Sequence, residues 1–487
     1  MPQSDGVVTA GHPLTAAAGA HLLRAGGNAV DAALGALIAS FATEPLLTGL
    51  GAGGYMLVAE PGSEPVLLDF FVRTPSLRLE GAAALDAVEV SFGDAVQTFN
   101  GGPASCAVPG MAAGVLAAAE RWATLPLATI CAEGERLARE GVQLNAQQAY
   151  VAKILEGLLA ETPECAEIWA PDGRVLREGD LIHCPGLADS IALLAARGAE
   201  PFYTGELGTA IADWVYARGG SLTREDMADY TAVERRPVHV AYRGRDFYTN
   251  PPPSAGGLLL AYALALLERE PGHPTLAQIV GAMQAAQGER TEEFVQGLGR
   301  VEFAEEFLAA RLGSTTHISV LDAAGMACSV TSTNGEGSGV VVPGTGIHVN
   351  NMMGEEDLNP HGFHRHPAGV RLPSMMAPSV LLRDGKVELV LGSAGSNRIR
   401  SALLQVIVAV VDRGLGAQDA VDAPRVHFED GTLFVEPGIE ADELDLPTVL
   451  FSAPNLFFGG VQAVLRRPGG GLEGAGDPRR GGAVQAG

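Results

Sequence analysis

The stretch TTHISVLDAAGMACSVTST, residues 315–333, reads as two β-strands joined by a turn, with hydroxyl side chains at its outer ends. THISVLD and MACSVTST are short runs rich in β-branched residues, and the turn between them contains glycine. Gly313 and Ser314 stand directly before the pair Thr315 and Thr316. Two small residues followed by two hydroxyls at the start of a strand raise the question of a nucleophile.

The chain on either side of this stretch predicts an α+β protein. Toward the N-terminus, two helices are predicted on either side of Gly26 and Gly27, and Asn28 is placed to cap the second helix. From about residue 109 to 310 the pattern is mainly helical, and after Gly313 short β-prone runs dominate. Strands at both ends with helices between them indicate layers that share one core, so the joint at Gly313 lies inside a domain.

Composition excludes several classes of partner. The chain has 487 residues, 47% of them hydrophobic, and a formal net charge of −25, which leaves little to neutralise phosphates. We therefore expect neither nucleic acid nor a membrane as a partner, and a small molecule as the ligand. The first residues lack the basic and apolar regions of a secretory signal, so we expect a cytoplasmic protein.

Residues of the β-rich part supply the elements that amide hydrolysis needs. A threonine becomes a nucleophile when a base lies beside it, and its own α-amino group serves once the preceding peptide bond is broken. From the residues alone, Thr315 and Thr316 both remain candidates. Thr333 ends the paired strand, and the amides of Gly395 and Ser396 lie between a predicted strand and a helix, where they favour an oxyanion.

Nine colinear motifs make the chain resemble the γ-glutamyltransferases (γ-glutamyl transpeptidases), which are self-cleaving N-terminal nucleophile hydrolases. The motifs are LLRAGGNAVDAALGALIA, GAGGYMLV, LLDF, VPGMAAGV, NPPPSAGG, TTHISVLDAAGMACSVTST, GSGVVVPGTGIHVNN, SMMAPSVLLRDG and GSAGSNRI. The resemblance implies a four-layer αββα fold. It also implies cleavage between Ser314 and Thr315 into a large subunit, residues 1–314, and a small subunit, residues 315–487, which stay associated as one intertwined domain, with further dimerisation open.

The resemblance also assigns catalytic roles. Thr315 is implied to attack the γ-glutamyl carbonyl, with its own amine as the base and Thr333 as its support. Gly395 and Ser396 match the two oxyanion-hole glycines of the family, and Ser396 keeps the backbone N–H that the role requires. No cofactor and no metal are implied, and we interpret HGFHRH, residues 361–366, as a polar loop because it lacks helical register.

Three positions that hold the glutamyl group in the family are altered together. The family motif DFRE reads DFFV here, so Phe71 replaces an arginine that binds the α-carboxylate. Met375 replaces the second serine of a serine pair, and Met352 replaces the Gln or Glu that holds the α-amino group.

Two interpretations of this altered pocket follow. In the one we favour from the sequence, Arg73 reaches the carboxylate because alternate residues of a strand share a face, and Asn334, Glu355 and Ser374 complete a modified clamp for γ-glutamyl amides. In the other, the pocket is apolar and accepts a non-glutamyl acyl group, as in acylases. A third possibility is an uncleaved, non-catalytic binding protein.

Overall fold

The structure, a computed structural model, describes residues 5–79, 85–91, 96–160, 162–289, 316–359 and 362–487. Ser314 and Thr315 therefore lie outside the described residues. Two antiparallel sheets form the centre of the molecule.

The first sheet has seven strands in the order β22-β1-β11-β12-β2-β3-β8. Its strands are β1 (Gly6–Ala10), β2 (Gly53–Ala59), β3 (Val66–Phe70), β8 (Val233–Arg235), β11 (Thr316–Asp322), β12 (Ala327–Thr333) and β22 (Ala483–Ala486). The predicted hairpin forms its centre, and its register pairs Thr316 with Ser332.

The second sheet has six strands in the order β21-β20-β16-β15-β10-β9. Its strands are β9 (Val238–Tyr242), β10 (Arg245–Thr249), β15 (Ser379–Arg383), β16 (Lys386–Ala394), β20 (Gly460–Arg466) and β21 (Leu472–Gly476). Smaller pairings involve β4 (Asp86–Ser91) with β5 (Val96–Gly101), β6 (Val142–Gln143) with β7 (Leu181–Ile182), β13 (Val341–Val342) with β14 (Ile347–His348), and β17 (Val426–Glu429), β18 (Thr432–Val435) and β19 (Thr448–Leu450).

Helices cover the outer faces of the two sheets, and further helices pack against those helices. The longer helices are α1 (Pro13–Arg24), α2 (Ala29–Thr43), α3 (Met111–Trp122), α4 (Leu127–Glu140), α5 (Ala146–Ile154), α8 (Pro185–Arg197), α10 (Glu206–Tyr216), α12 (Gly256–Glu268), α13 (Leu276–Gly288) and α14 (Arg398–Val411). The shorter ones are α6 (Glu156–Leu159), α7 (Pro163–Trp169), α9 (Glu200–Tyr203), α11 (Arg224–Ala228) and α15 (Ala417–Asp422).

Three buried clusters hold the layers together. One joins the first sheet to α1 and α2, one joins the second sheet to α12 and α14, and the third lies between the sheets. This arrangement confirms the predicted α+β class and αββα layers. None of the helices in the described ranges is long and apolar enough to span a membrane.

Individual residues explain two local features of the fold, the start of α2 and the close approach of the two sheets. Asn28 caps α2 as predicted, accepting hydrogen bonds from the N–H groups of Val30 and Asp31 at 2.8 and 3.0 Å. Asp31 completes a capping box by accepting from the N–H of Asn28 at 2.8 Å. Between the sheets, the ring of His317 lies against Gly392, where any Cβ would overlap it, so glycine there permits close packing.

Candidate active site

An open cleft lies where β11 begins, β12 ends and β16 turns into α14. Its volume is about 930 Å³ when the space at its mouth is included. Polar and charged side chains line one part of it: Thr316, Thr333, Glu336, Glu355, Ser374, Ser396, Arg398 and Arg480. Apolar side chains line the remainder: Leu46, Leu47, Phe71, Val151, Ile154, Leu155, Met352, Leu358 and Leu456.

The described chain enters the cleft at Thr316, one residue after the predicted nucleophile. Thr316 is buried, and its hydroxyl donates to Glu44 Oε1 at 3.4 Å. Thr333, at the end of the neighbouring strand, lines the cleft, and its Oγ1 accepts from the N–H of Gly335 at 2.9 Å. That acceptor role leaves its own O–H able to donate toward the cleft. The hairpin register thus brings Thr333 to the same end of the sheet as Thr316.

Gly395 and Ser396 form the predicted turn between β16 and α14. Both adopt positive φ, at 123° and 51°, and both line the cleft. A Cβ on Gly395 would lie 2.7 Å from the Cα of Gly459, so glycine is required there. The turn sits at the N-terminus of a 14-residue helix, where backbone N–H groups and the helix dipole favour negative charge. Its geometry suits an oxyanion hole.

Phe71 and Met352 form an apolar wall of the cleft together with Leu358, and all three belong to the cluster between the sheets. The Phe71 ring stacks on Tyr55 with a centroid distance of 5.4 Å. Met375 does not line the cleft; its side chain belongs to the core of the second sheet. Two of the three altered anchor positions therefore face the cleft with apolar side chains.

The structure does not place Arg73 where the sequence predicted it. Its guanidinium donates to the backbone carbonyls of Asp226 and Asp229 at 2.9 and 3.2 Å, and the residue does not line the cleft. The prediction assumed that the alternation of β3 continues beyond Phe70, but the strand ends there and Arg73 instead bridges to Val108. Arg73 is therefore wrong as the replacement for the lost arginine.

The other predicted substrate-binding residues are divided. Ser374 lines the cleft, where its hydroxyl lies 3.1 Å from that of Ser254, and Glu355 also lines it. Asn334 is fully buried but does not line the cleft, and its side-chain amide makes no hydrogen bond with any residue that the structure describes. Two of the three thus lie where a ligand would contact them.

Sequence reasoning missed two arginines and one acid in the cleft. Arg398 follows the oxyanion turn directly, and Glu336 lies in the glycine-rich loop after Thr333. Arg480 belongs to the motif GDPRRGG, residues 476–482, a pattern typical of a structural salt bridge. Arg479 does form that salt bridge, with Glu436 at 2.5 Å, whereas Arg480 lines the cleft. Nothing in the sequence indicates that these two adjacent arginines point to different places, one to a buried salt bridge and the other to the cleft.

Glu44 is a buried carboxyl group behind the cleft, directly after α2. It accepts hydrogen bonds from Thr15 at 3.1 Å and from Thr316 at 3.4 Å. Burial raises its pKa to about 7, although both hydroxyl donors act in the opposite direction. At neutral pH this group is divided between its protonated and ionised forms. It contacts Thr316, the residue that follows the predicted nucleophile in the sequence.

Within the ranges that the structure describes, no group of three or more His, Cys, Asp or Glu side chains is arranged to hold a metal ion. His317 is buried between the sheets, with Thr331 and Ser319 hydroxyls each 2.8 Å from its ring nitrogens. Burial lowers its pKa to about 3, so the ring is neutral. This geometry suits packing and hydrogen bonding.

The fold and the cleft together define an N-terminal nucleophile hydrolase. The family model for gamma-glutamyltranspeptidase matches residues 15–297 and 302–487, so this chain belongs to the γ-glutamyltranspeptidase family and is an enzyme of that class. The resemblance found in the sequence is confirmed.

Its relatives carry two kinds of name. The acylase ACY 1 proenzyme of Pseudomonas sp. strain SE83 is 32% identical, with 97% of this chain and 92% of that protein aligned. The glutathione hydrolase proenzyme of Escherichia coli K12 is 30% identical, with 95% and 88% aligned. The solved structure of cephalosporin acylase from Bacillus halodurans superposes with a TM-score of 0.86 at 27% identity, covering 99% of this chain and 96% of that one.

Proposed function

We propose that the chain is a self-processing acylase of its family: it cleaves itself between Ser314 and Thr315, and Thr315 then hydrolyses amides whose acyl group is not γ-glutamyl. The observation that carries this proposal is the apolar wall of the cleft, where Phe71 and Met352 stand at positions that bind the charged ends of glutamate in the resembling enzymes.

Physical chemistry favours an uncharged acyl chain at this wall. A carboxylate placed against buried apolar side chains without a cation costs several kcal/mol, whereas an alkyl or aryl acyl chain gains from the same contact. The guanidinium of Arg73 is engaged by two backbone carbonyls outside the cleft. The names of the Pseudomonas and Bacillus acylases support the same choice.

The reaction uses residues of this chain alone. The Thr315 hydroxyl loses its proton to the Thr315 α-amine and attacks the amide carbonyl, forming a tetrahedral oxyanion. The N–H groups of Gly395 and Ser396 stabilise that oxyanion, and Thr333 supports the nucleophile. The amine leaves with a proton, and water or a second amine then releases the acyl group from Thr315.

Hydrolysis of γ-glutamyl amides is the second candidate. Ser374 and Glu355 line the cleft, and these are the two members of the glutamyl clamp that the chain retains there. The glutathione hydrolase names among the relatives favour this reading equally. It would need a cation other than Arg73 for the α-carboxylate.

Processing is tested by denaturing electrophoresis of the purified protein. We expect two fragments, residues 1–314 and residues 315–487, and N-terminal sequencing of the smaller one should begin at Thr315. Thr315→Ala should leave a single band, whereas the matched control Thr316→Ala should still be cleaved. A single band for the unmodified protein would indicate the non-catalytic alternative.

Substrate choice is tested with chromogenic anilides that share one leaving group. We expect hexanoyl and phenylacetyl anilides to be cleaved with higher kcat/KM than the γ-glutamyl anilide. Turnover restricted to the γ-glutamyl compound would refute the acylase proposal and select the second candidate. The Thr315→Ala variant, which lacks the nucleophile, gives the background rate.

A further inference from the structure

Two arginine side chains meet in the cleft beside the oxyanion turn. Arg398, in the first turn of α14, is 8% exposed and donates through Nε to the carbonyl of Phe457 at 3.1 Å. Arg480 donates through Nε and Nη2 to the carbonyl of Leu456 at 3.3 and 3.2 Å. Both therefore use one edge of the guanidinium on a single backbone loop.

Neither guanidinium has a carboxylate within 4 Å among the described residues. The nearby buried arginines, Arg425 and Arg479, both do. Asp477, the nearest buried acid in sequence, is bonded to Arg425 at 2.7 Å and to Arg479 at 3.3 Å. Glu336 acts on Arg480, and Glu429 on Arg398, only from beyond salt-bridge distance. The pair thus lines the cleft without a close counter-charge.

Such an arrangement is electrostatically unfavourable in the unliganded enzyme. Burial, with the neighbouring charge of Arg398, lowers the pKa of Arg480 to about 10, which still leaves it protonated at neutral pH. Two like charges in a poorly hydrated site repel each other, and a bound anion would relieve both the repulsion and the lost hydration. Arginine is also the side chain best suited to two-pronged recognition of a carboxylate.

The pair lies beside the position where an amide would react. A Cβ on Gly395 would be 3.4 Å from Nη2 of Arg480, so this guanidinium borders the oxyanion turn. The arginines are supported by the Leu456–Phe457 loop, whereas Phe71, Met352 and Leu358 belong to the cluster between the sheets. The cleft therefore has a cationic wall and a separate apolar wall.

We propose that Arg398 and Arg480 form a carboxylate-binding subsite for the amine half of the substrate, so that the preferred substrates are N-acyl amino acids. This inference rests on the proposed function, which places the acyl chain against Phe71 and Met352. With the acyl chain there and the carbonyl oxygen at the turn, the departing amine extends toward the arginines. The carboxylate of the amino acid then supplies the missing counter-charge.

Binding is tested without turnover by thermal unfolding of the processed enzyme. The probe is N-(hexylsulfonyl)glycine, a sulfonamide that the enzyme cannot hydrolyse, and its neutral control is the corresponding glycinamide. We expect the carboxylate to raise Tm more than the amide does, and Arg480→Gln or Arg398→Gln to abolish the difference. Arg413→Gln, at an exposed arginine outside the cleft, should preserve it. Arg480→Lys should restore part of it.

Kinetics supply the second readout through a ratio. We expect kcat/KM for N-hexanoylglycine to exceed that for N-hexanoylglycinamide by at least about tenfold, and Arg480→Gln to bring the ratio close to one. A ratio that stays unchanged in both Gln variants, whether or not kcat/KM falls on both substrates, would overturn the subsite. So would a preference for an acyl-side carboxylate, measured with glutaryl anilide.

The two readouts separate this inference from the proposed function. If no N-acyl substrate is cleaved but the sulfonamide carboxylate still raises Tm through Arg480, the acylase proposal fails and the anion subsite stands. If hexanoyl amides are cleaved and the carboxylate has no effect in either readout, the subsite fails and the acylase proposal stands.

Discussion

Glu44→Gln is the perturbation whose effect the structure defines best. The buried carboxyl group of Glu44 accepts from the hydroxyls of Thr15 and Thr316, and Gly11 packs against it so closely that no Cβ fits there. Glutamine has nearly the same shape and keeps an acceptor oxygen, so the substitution removes the ionisation with little change in packing. Its consequence is a change in how stability depends on pH.

The magnitude follows from the pKa of Glu44, which burial raises from 4.5 to about 7. The unfolded chain loses this proton near pH 4.5 and the folded protein near pH 7, so the stabilisation is complete below 4.5 and is lost as pH rises to 7. The difference corresponds to about 3 kcal/mol. Relative to the unmodified protein, Glu44→Gln should therefore gain stability by up to that amount between pH 5 and 8.

Buried histidines act in the opposite direction and make the comparison with Glu44→Gln necessary. Burial lowers the pKa of His12, His317 and His348 to between about 3 and 4, so their contribution to stability is lost as pH falls below 6.5. Both proteins contain these groups, and subtracting one profile from the other cancels them. What remains belongs to Glu44.

The assay is urea unfolding of both proteins at several pH values from 5 to 8, followed by tryptophan fluorescence. We expect the difference in unfolding free energy to change steadily from pH 5 to about 7 and to level off as the pH approaches 8. A difference that is independent of pH would refute the raised pKa. A difference that grows toward acidic pH, with the unmodified protein losing stability, would refute the burial argument itself.

Three further outcomes follow from the same structure. Phe71→Arg alone should weaken folding because it buries a cation, whereas Phe71→Arg with Met352→Glu should raise the kcat/KM ratio of γ-glutamyl to hexanoyl anilide by at least about tenfold. Asp477→Asn should lower the free energy of unfolding by about 3–5 kcal/mol in urea titrations, because the buried Arg425 loses its carboxylate partner and Arg479 keeps only Glu436. Ser396→Gly should raise that free energy by about 1 kcal/mol, because serine at φ 51° bears a cost that glycine avoids.

The central hairpin and its hydroxyl ends could be predicted because the information is local. Alternating β-branched residues define β11 and β12, a glycine defines their turn, and the register then fixes Thr316 opposite Ser332. The turn at Gly395 followed from the same kind of signal, a strand and a helix separated by small residues. Local patterns therefore located the proposed catalytic edge.

Positions that depend on tertiary contacts could not be predicted in this way. The failure at Arg73 came from extending a period of two past the residue where β3 ends, and only the pairing with Val108 reveals that end. Arg398 and Arg480 are far apart in sequence and meet because the chain after β21 returns to the start of α14. Neither secondary-structure propensity nor residue spacing predicts a tertiary contact of this kind.

Substrate recognition and packing are coupled at the apolar wall, and this coupling limits how the cleft can change. Phe71 and Met352 line the cleft and also belong to the cluster that joins the two sheets. An arginine at 71 would place a cation in that cluster unless an acid came with it, so loss or recovery of a glutamate clamp requires paired changes. The arginines on the cationic wall are held by backbone carbonyls outside this cluster, and specificity for the amine half can change there without repacking the core.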